Sequence, residues 1–336
     1  MHVLITGAAG MIGRKLTDRL LADERLAGTP IARLDLVDVV NVDIVNVDVV
    51  NVDVDETATP GASGTVEVRS IVADLTEPDQ AQALAASEPD VVFHLAGVVS
   101  GEAEANLEKG YRVNLDGTRL LIEALAAAPG TPRVVFTSSI AVFGAPFPPV
   151  IGDDFHLTPL TSYGTQKAIG EGLLADYSRR EMIDGVGIRL PTITVRPGKP
   201  NAAASGFFSG IIREPLAGLP AALPVPPTVR HPHASPRSAI GYLVHAAEID
   251  TAALGNRRNL TMPSISVTVQ DQIDALGRVA GDSAVALIEA RPDPAVASIV
   301  AGWPERFATE RADALGFGCE STYDDIIRAY LEDDVG

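Results

Sequence analysis

Cysteine is almost absent from this 336-residue chain. Cys319 stands alone, so no internal disulfide forms and no thiolate cluster is present to hold a metal. A reducing, intracellular compartment is the matching expectation. Cations are also scarce, with 26 Lys and Arg against 44 Asp and Glu and a formal net charge of −18. Nucleic acid and anionic membranes are both held by clustered cations, so neither is expected as a partner. Long apolar runs are missing too: nowhere do 18 such residues follow one another without a charge or breaker. The opening Met1-His2-Val3-Leu4-Ile5-Thr6-Gly7 lacks the basic start and apolar stretch of a signal peptide. These absences predict a soluble, cytoplasmic protein without a metal site.

Apolar residues nevertheless make up 46% of the chain, enough for a sizeable core. They fall into short runs separated by longer amphipathic ones. His2 to Thr6, Ala32 to Val37, Glu67 to Val72, Asp90 to Leu95, Arg133 to Ser138 and Val186 to Leu190 read as strands. Met11 to Ala22, about Leu107 to Ala127 and Ser162 to about Arg179 read as helices. Such alternation predicts an α/β fold, a Rossmann-type doubly wound parallel sheet with right-handed crossovers. After Leu190 prolines recur from Pro191 to Pro236 and the helical period breaks. The expected division is a dinucleotide-binding domain over 1–188 and a mainly substrate-binding region over 189–336, with about 238–262 returning to complete the sheet. Ser238 to Ile249 and Thr322 to Asp333 read as later helices.

One segment, about 39–55, steps in fives: Asn41-Val42-Asp43-Ile44-Val45, Asn46-Val47-Asp48-Val49-Val50, Asn51-Val52-Asp53-Val54-Asp55. An odd period keeps no single face apolar in a strand and does not fit a helix. It reads as an expanded surface insertion, a loose hairpin. A calcium loop on its aspartates is the weaker alternative, because the glycine turns of such sites are missing.

Gly7-Ala8-Ala9-Gly10-Met11-Ile12-Gly13 follows the first strand and opens a helix. Glycines so placed let the backbone turn sharply and approach a pyrophosphate, while the helix start offers unpaired N–H groups. At the tip of the second strand, Asp38 is placed to accept hydrogen bonds from the adenosine ribose and to repel a 2′-phosphate, which predicts NAD rather than NADP. Asp35 is the rival acid, inside the strand. Asp74-Leu75 follows the third strand, where a carboxylate meets an adenine amine. His94-Leu95-Ala96-Gly97 ends the fourth, where small residues let a cofactor lie across the strand ends. His94 reads as a packed histidine.

Ser162-Tyr163-Gly164-Thr165-Gln166-Lys167 sets Tyr163 and Lys167 four apart, on one helix face. An ammonium beside a phenol favours the phenolate, so Tyr163 is the candidate general base. Phe136-Thr137-Ser138-Ser139, at the end of the fifth strand, delivers hydroxyls to the same crevice. Ser139 is the candidate to hold the substrate oxygen and Lys167 the nicotinamide ribose.

Taken together, Gly7-x-x-Gly10-x-x-Gly13, His94-Leu95-Ala96-Gly97, Asn114-Leu115-Asp116-Gly117-Thr118, Ser138-Ser139 and Tyr163-x-x-x-Lys167 resemble the extended short-chain dehydrogenase/reductase family. The resemblance implies Ser139, Tyr163 and Lys167 as the catalytic set, with Tyr163 the base. It implies a cofactor-binding set of Gly7, Gly10, Met11, Ile12, Gly13, Asp38, Asp74, Leu75, Leu95, Ala96, Gly97, Asn114, Tyr163, Lys167, Pro191 and Thr192. A homodimer through helices at about Leu107 to Ala127 and Ser162 to Arg179 is implied as well. Second-half segments, among them Gly187-Ile188-Arg189-Leu190-Pro191-Thr192, Val195-Arg196-Pro197-Gly198-Lys199-Pro200-Asn201 and His233-Ala234-Ser235-Pro236-Arg237, resemble one branch over nearly the whole chain. That branch implies NAD-dependent oxidation of a small sugar acid to a 2-keto acid.

Charge supports an anionic substrate independently. Between Arg189 and Arg237 lie five arginines and Lys199 against the single acid Glu214, inside a chain of net charge −18. Thr192, Lys199 and Arg237, with Ser139 and Tyr163, are the candidate substrate contacts, and the three partners for its carboxylate are not ranked by sequence. Two other readings remain: a nucleotide-sugar epimerase, which returns the hydride, and a non-enzymatic dinucleotide sensor, which has no use for the Ser, Tyr and Lys set.

Overall fold

The computed structural model describes residues 1–42, 49–53, 66–198 and 205–336. Strands β1 (His2–Thr6), β2 (Arg33–Asp38), β3 (Val49–Asp53), β4 (Glu67–Val72), β5 (Val91–His94), β6 (Arg133–Ser139) and β7 (Asp184–Leu190) alternate for the most part with helices. The helices are α1 (Met11–Asp23), α2 (Pro78–Ala86), α3 (Thr118–Ala127) and α4 (Ser162–Arg179). Beyond β7 come β8 (Thr192–Ile193), α5 (Gly206–Leu216), β9 (Arg230–Ala234), α6 (Pro236–Glu248), β10 (Asn259–Thr261), β11 (Ile265–Thr268), α7 (Val269–Ala280) and α8 (Tyr323–Tyr330). Among the described residues the main sheet has eight strands in the order β10-β7-β6-β5-β1-β2-β4-β3, and every neighbouring pair is parallel. Strand β1 sits where the order reverses, with β2 on one side and β5 on the other, which opens a crevice at the strands' carboxyl ends.

Strand periodicity distributes the core. In β1, Val3 and Ile5 join a cluster with Leu16 and Leu20 of α1 and Tyr242 and Leu243 of α6. Leu4 points to the other face, among Leu84 of α2, Leu121 and Leu125 of α3 and Leu174 of α4. A third cluster lies apart from the sheet and joins Phe208, Ile211 and Ile212 of α5 with Val269 and Leu276 of α7 and Ile326 and Ile327 of α8. Helix α6 and strand β10 belong to the sheet although they follow the proline-rich stretch, since β10 pairs with β7.

Two expectations change. The long helix is continuous from Leu107 to Ala127, but its middle, Tyr111–Gly117, is a π-helical turn that leaves Asn114 and Gly117 buried. The extra residue per turn shifts the face that ordinary helical spacing assigns. The repeat insertion is not a loose hairpin where it is described: Val49–Asp53 is a parallel edge strand in register with Val68 to Val72. The period-five argument failed because one strand needs only a single step of the repeat. A register conflict between successive steps never arises. The rest of the insertion lies outside the described residues.

Candidate active site

The turn between β1 and α1 leaves no space for side chains. Gly7 has φ +74°, and a Cβ there would stand 2.7 Å from Ala96 N. A Cβ at Gly13 would stand 2.4 Å from Gly7 O, so the helix packs directly on the turn. Gly10 is the N-cap of α1 and no side chain caps it, which leaves the first amides of the helix to a ligand. Asp38 is tied to this turn: its Oδ2 accepts from Ala9 N–H at 2.9 Å and its Oδ1 from Val39 N–H at 2.8 Å. Asp35 is fully buried and accepts from Arg33, Arg69 and His2, so it is a structural acid.

The crevice has two lobes. Asp38, Asp74, Leu75, Ala96, Lys109 and Arg112 line one, beside the tip of β2. Ser139, Tyr163, Lys167, Pro191, Thr192 and the α1 residues Met11, Ile12 and Gly13 line the other, a cavity of about 460 Å³. Gly7, Gly10, Leu95, Gly97 and Val98 line both, so the glycine turn bridges them. An extended dinucleotide fits this layout: adenosine beside Asp38, pyrophosphate over the turn, nicotinamide beside Tyr163 and Lys167. Lys109 and Arg112 were not singled out from the sequence, because they precede Asn114 on a helix whose exposed face alone gives no direction.

Asn114 lines neither lobe. Its Nδ2 donates to Val98 O at 3.2 Å and Gln166 Oε1 at 2.8 Å, and its Oδ1 accepts from Val98 N–H at 2.8 Å. A Cβ on Gly97 would approach that Oδ1 to 2.9 Å, so Asn114 braces the β5 loop from behind. His94 is also a support. Its ring bridges Thr6 and Thr118, and burial pushes it down to about 3, so it stays neutral.

In the lobe lined by Tyr163 and Lys167, Thr161 caps α4 through Gly164 N–H at 3.0 Å and fixes the first turn that carries Tyr163. Burial pushes the Tyr163 phenol up to about 12, with Ser139 pulling the other way. Lys167 is also buried, and desolvation lowers it to about 8 while the Glu171 carboxylate raises it. Its Nζ lies 5.8 Å from the Tyr163 ring centroid and 4.8 Å from that of Phe136. The simple expectation that lysine alone draws the phenol towards neutrality is thus outweighed here by burial. Ser139 Oγ accepts from Ala141 N–H at 3.1 Å. Ser138 and Thr137 are held elsewhere: Ser138 Oγ donates to Glu171 Oε1 at 2.5 Å, and Thr137 Oγ1 to His94 O at 3.0 Å. Glu171 in turn takes both arms of Arg189 at 2.9 and 2.7 Å, a buried pair beneath the site.

The third wall comes from the chain after β7. Thr192 Oγ1 lies 2.6 Å from His231 Nε2, and burial pushes that imidazole down to about 3. Arg196, Ser205, Ser209 and Arg213 line this wall; the two arginines belong to the cationic stretch read from the sequence, but none of the four was among the named substrate contacts. Arg237 does not line it. That residue is half-exposed and pairs with Glu332 at 2.8 Å and Asp333 at 2.6 Å, contacts about ninety-five residues away that sequence spacing does not reveal. Lys199 lies outside the described residues. Of the other arginines in this stretch, Arg189 is spent on Glu171, Arg230 on Ser266 O and Asp271, and Arg213 on Glu214.

A glycine turn at the switch point, an acid at the tip of β2 and Ser139, Tyr163 and Lys167 around one cavity define an extended short-chain dehydrogenase/reductase. Residues 3–231 match the model of the NAD dependent epimerase/dehydratase family, and the chain belongs to that family. It is 46% identical over 99% of its length to the D-erythronate dehydrogenase of Cupriavidus necator, covering 98% of that protein. The D-erythronate dehydrogenase of Haemophilus influenzae is 36% identical, with both chains covered in full. Among solved structures, the nucleoside-diphosphate-sugar epimerase from Agrobacterium tumefaciens superposes with a TM-score of 0.90 at 55% identity, over 100% of this chain and 95% of that one. No helix among the described residues is long and apolar enough to cross a membrane.

Proposed function

We propose that the protein oxidises D-erythronate at C2 with NAD, giving the 2-keto acid 2-dehydro-D-erythronate. The observation that carries this reading is the meeting of full-length kinship to two proteins of that name with a Ser139, Tyr163 and Lys167 set lining one cavity. NAD, when bound, takes up the hydride that leaves C2. Ser139 Oγ and Tyr163 Oη hold the C2 hydroxyl, and Tyr163 takes its proton as the C2–O bond becomes a carbonyl. Lys167 holds the nicotinamide ribose and sets a positive charge near the phenol, while Ser139 is the group that pulls Tyr163 down against its burial. Asp38, already tethered by two amides, keeps acceptor capacity for the ribose hydroxyls and disfavours NADP. The protein acts in the cytoplasm as a homodimer. Exposed Leu107, Leu160 and Ile169, in or beside the two helices that the family pairs, support that assembly.

The name of the 55% identical solved relative favours a second reading, epimerisation of a nucleotide sugar. The two readings differ in net redox change. NADH appearance with a panel of tetronic acids, run beside nucleotide sugars, tests them. The dehydrogenase reading expects NADH from D-erythronate. Interconverted nucleotide sugar with no NADH from any sugar acid would overturn it.

A further inference from the structure

Arg196 and Arg213 line the same cavity as Ser139 and Tyr163, and they are not equivalent. Arg213 is buried and committed: Nη1 donates to Arg196 O at 2.7 Å and Nη2 to Glu214 Oε1 at 2.6 Å. Among the described residues Arg196 is anchored through neutral groups only. Its main-chain N–H donates to Ser209 Oγ at 3.0 Å and its Nη2 to Ser205 Oγ at 2.8 Å. Among the described residues no carboxylate lies within ion-pair distance of it. Glu214 pairs with Arg213, and among the described residues Arg196 keeps its positive charge on a partly buried cavity wall without an ion-pair partner. Burial and the neighbouring Arg213 both push Arg196 below its usual range, the signature of a cation short of an anion.

We infer that Arg196 is the seat of the substrate carboxylate and the residue that makes the enzyme select an acid over its neutral counterpart. Ser205 takes one arm of the guanidinium and leaves donors of the planar fork for a carboxylate, a geometry an ammonium does not match. Arg213 is a positioning residue: it grips the Arg196 carbonyl and, by repulsion, sharpens the demand for an anion. This places the specificity-setting charge on Arg196, not on Arg237, whose fork is closed by two acids. The inference rests on the sugar-acid reading above. One rival claim on Arg196 is the cofactor's own pyrophosphate, since the glycine turn borders the same cavity.

The test uses Arg196→Gln and Arg196→Lys in the full-length protein, with D-erythronate and its isosteric amide D-erythronamide as substrates and NAD affinity measured by calorimetric titration. Wild type should favour the acid over the amide. Arg196→Gln should raise KM for the acid by roughly 10- to 10²-fold, the scale of hydrogen bonds to a charged group, and collapse the preference over the amide. NAD affinity should stay within about twofold, and Arg196→Lys should recover part of the loss, because charge without the fork remains. An active wild type whose KM does not move in Arg196→Gln overturns this inference alone. Equal losses in NAD affinity and KM overturn it too, and assign Arg196 to the cofactor. A wild type that makes no NADH from any sugar acid overturns the sugar-acid reading and this inference together.

Discussion

On the glycine-turn side of the cavity, meaning lies in spacing: three glycines three apart, an acid at the next strand's tip, a tyrosine and a lysine one helical turn apart. Across from it in the chain, the wall formed by Pro191 to Pro197 and Ser205 to Arg213 owes its chemistry to partners that spacing does not reveal. Gly13 can only be glycine because Gly7 O is 2.4 Å from where a Cβ would be, and both residues belong to one turn. Arg237 and Arg196 look alike in sequence, yet one is closed by Glu332 and Asp333 and the other has no acid within reach among the described residues. Backbone geometry fixed by local sequence is legible in the sequence; charge compensation fixed by tertiary contacts is not.

Substitutions on the two sides should break this contrast in different currencies. The largest effect is expected beneath the site, at Glu171→Gln. It leaves the Arg189 guanidinium buried without its counter-charge and frees Ser138, and removing one member of such a pair costs about 3–5 kcal/mol, read by denaturant unfolding. Next comes Tyr163→Phe, which should lower turnover on the order of 10²-fold or more while NAD titration shows binding retained. Wild-type turnover in that variant would remove Tyr163 as the base. Asp38→Ala should then narrow the preference for NAD over NADP, measured as the ratio of kcat/KM values. Equal use of both cofactors by the unmutated protein would strip Asp38 of that role.

Lys167 gives a pH-dependent signature. Its native value, about 8, lies below the ordinary 10.5, so between those two values the unfolded chain binds more protons than the native state. Stability from this group therefore rises with pH across that window, and its burial penalty is fully felt below it. Lys167→Met should remove that slope from the unfolding free energy. The smallest effect is expected at Arg237→Ala: within about 1 kcal/mol in stability, as for exposed pairs, and no change in KM. A large rise in KM there would reverse the assignment of the two arginines.

The rest of the molecule repeats the lesson. Six of the first seven strands (β1, β2, β4, β5, β6 and β7) and the helices α1, α3 and α4 were foreseeable because each needs only its own apolar period and its flanking turn. Asn114 was foreseen as part of the cofactor set, but its place behind the β5 loop depends on a π-helical turn that no side-chain period announces. The edge strand Val49–Asp53 was missed for the opposite reason: a repeat that looks incompatible with a strand over fifteen residues is compatible over five. Arg196 sits in a stretch where prolines break every period, so nothing nearby says which way its side chain turns.

The central claim is net oxidation at C2, and one isotope experiment addresses it directly. D-erythronate carrying deuterium at C2 is incubated with the protein and NAD, and the nicotinamide and organic-acid products are analysed by mass spectrometry and NMR. The account predicts one deuterium on nicotinamide C4 for each 2-keto acid formed. Deuterium retained in the acid, or removed from a carbon other than C2, would contradict it.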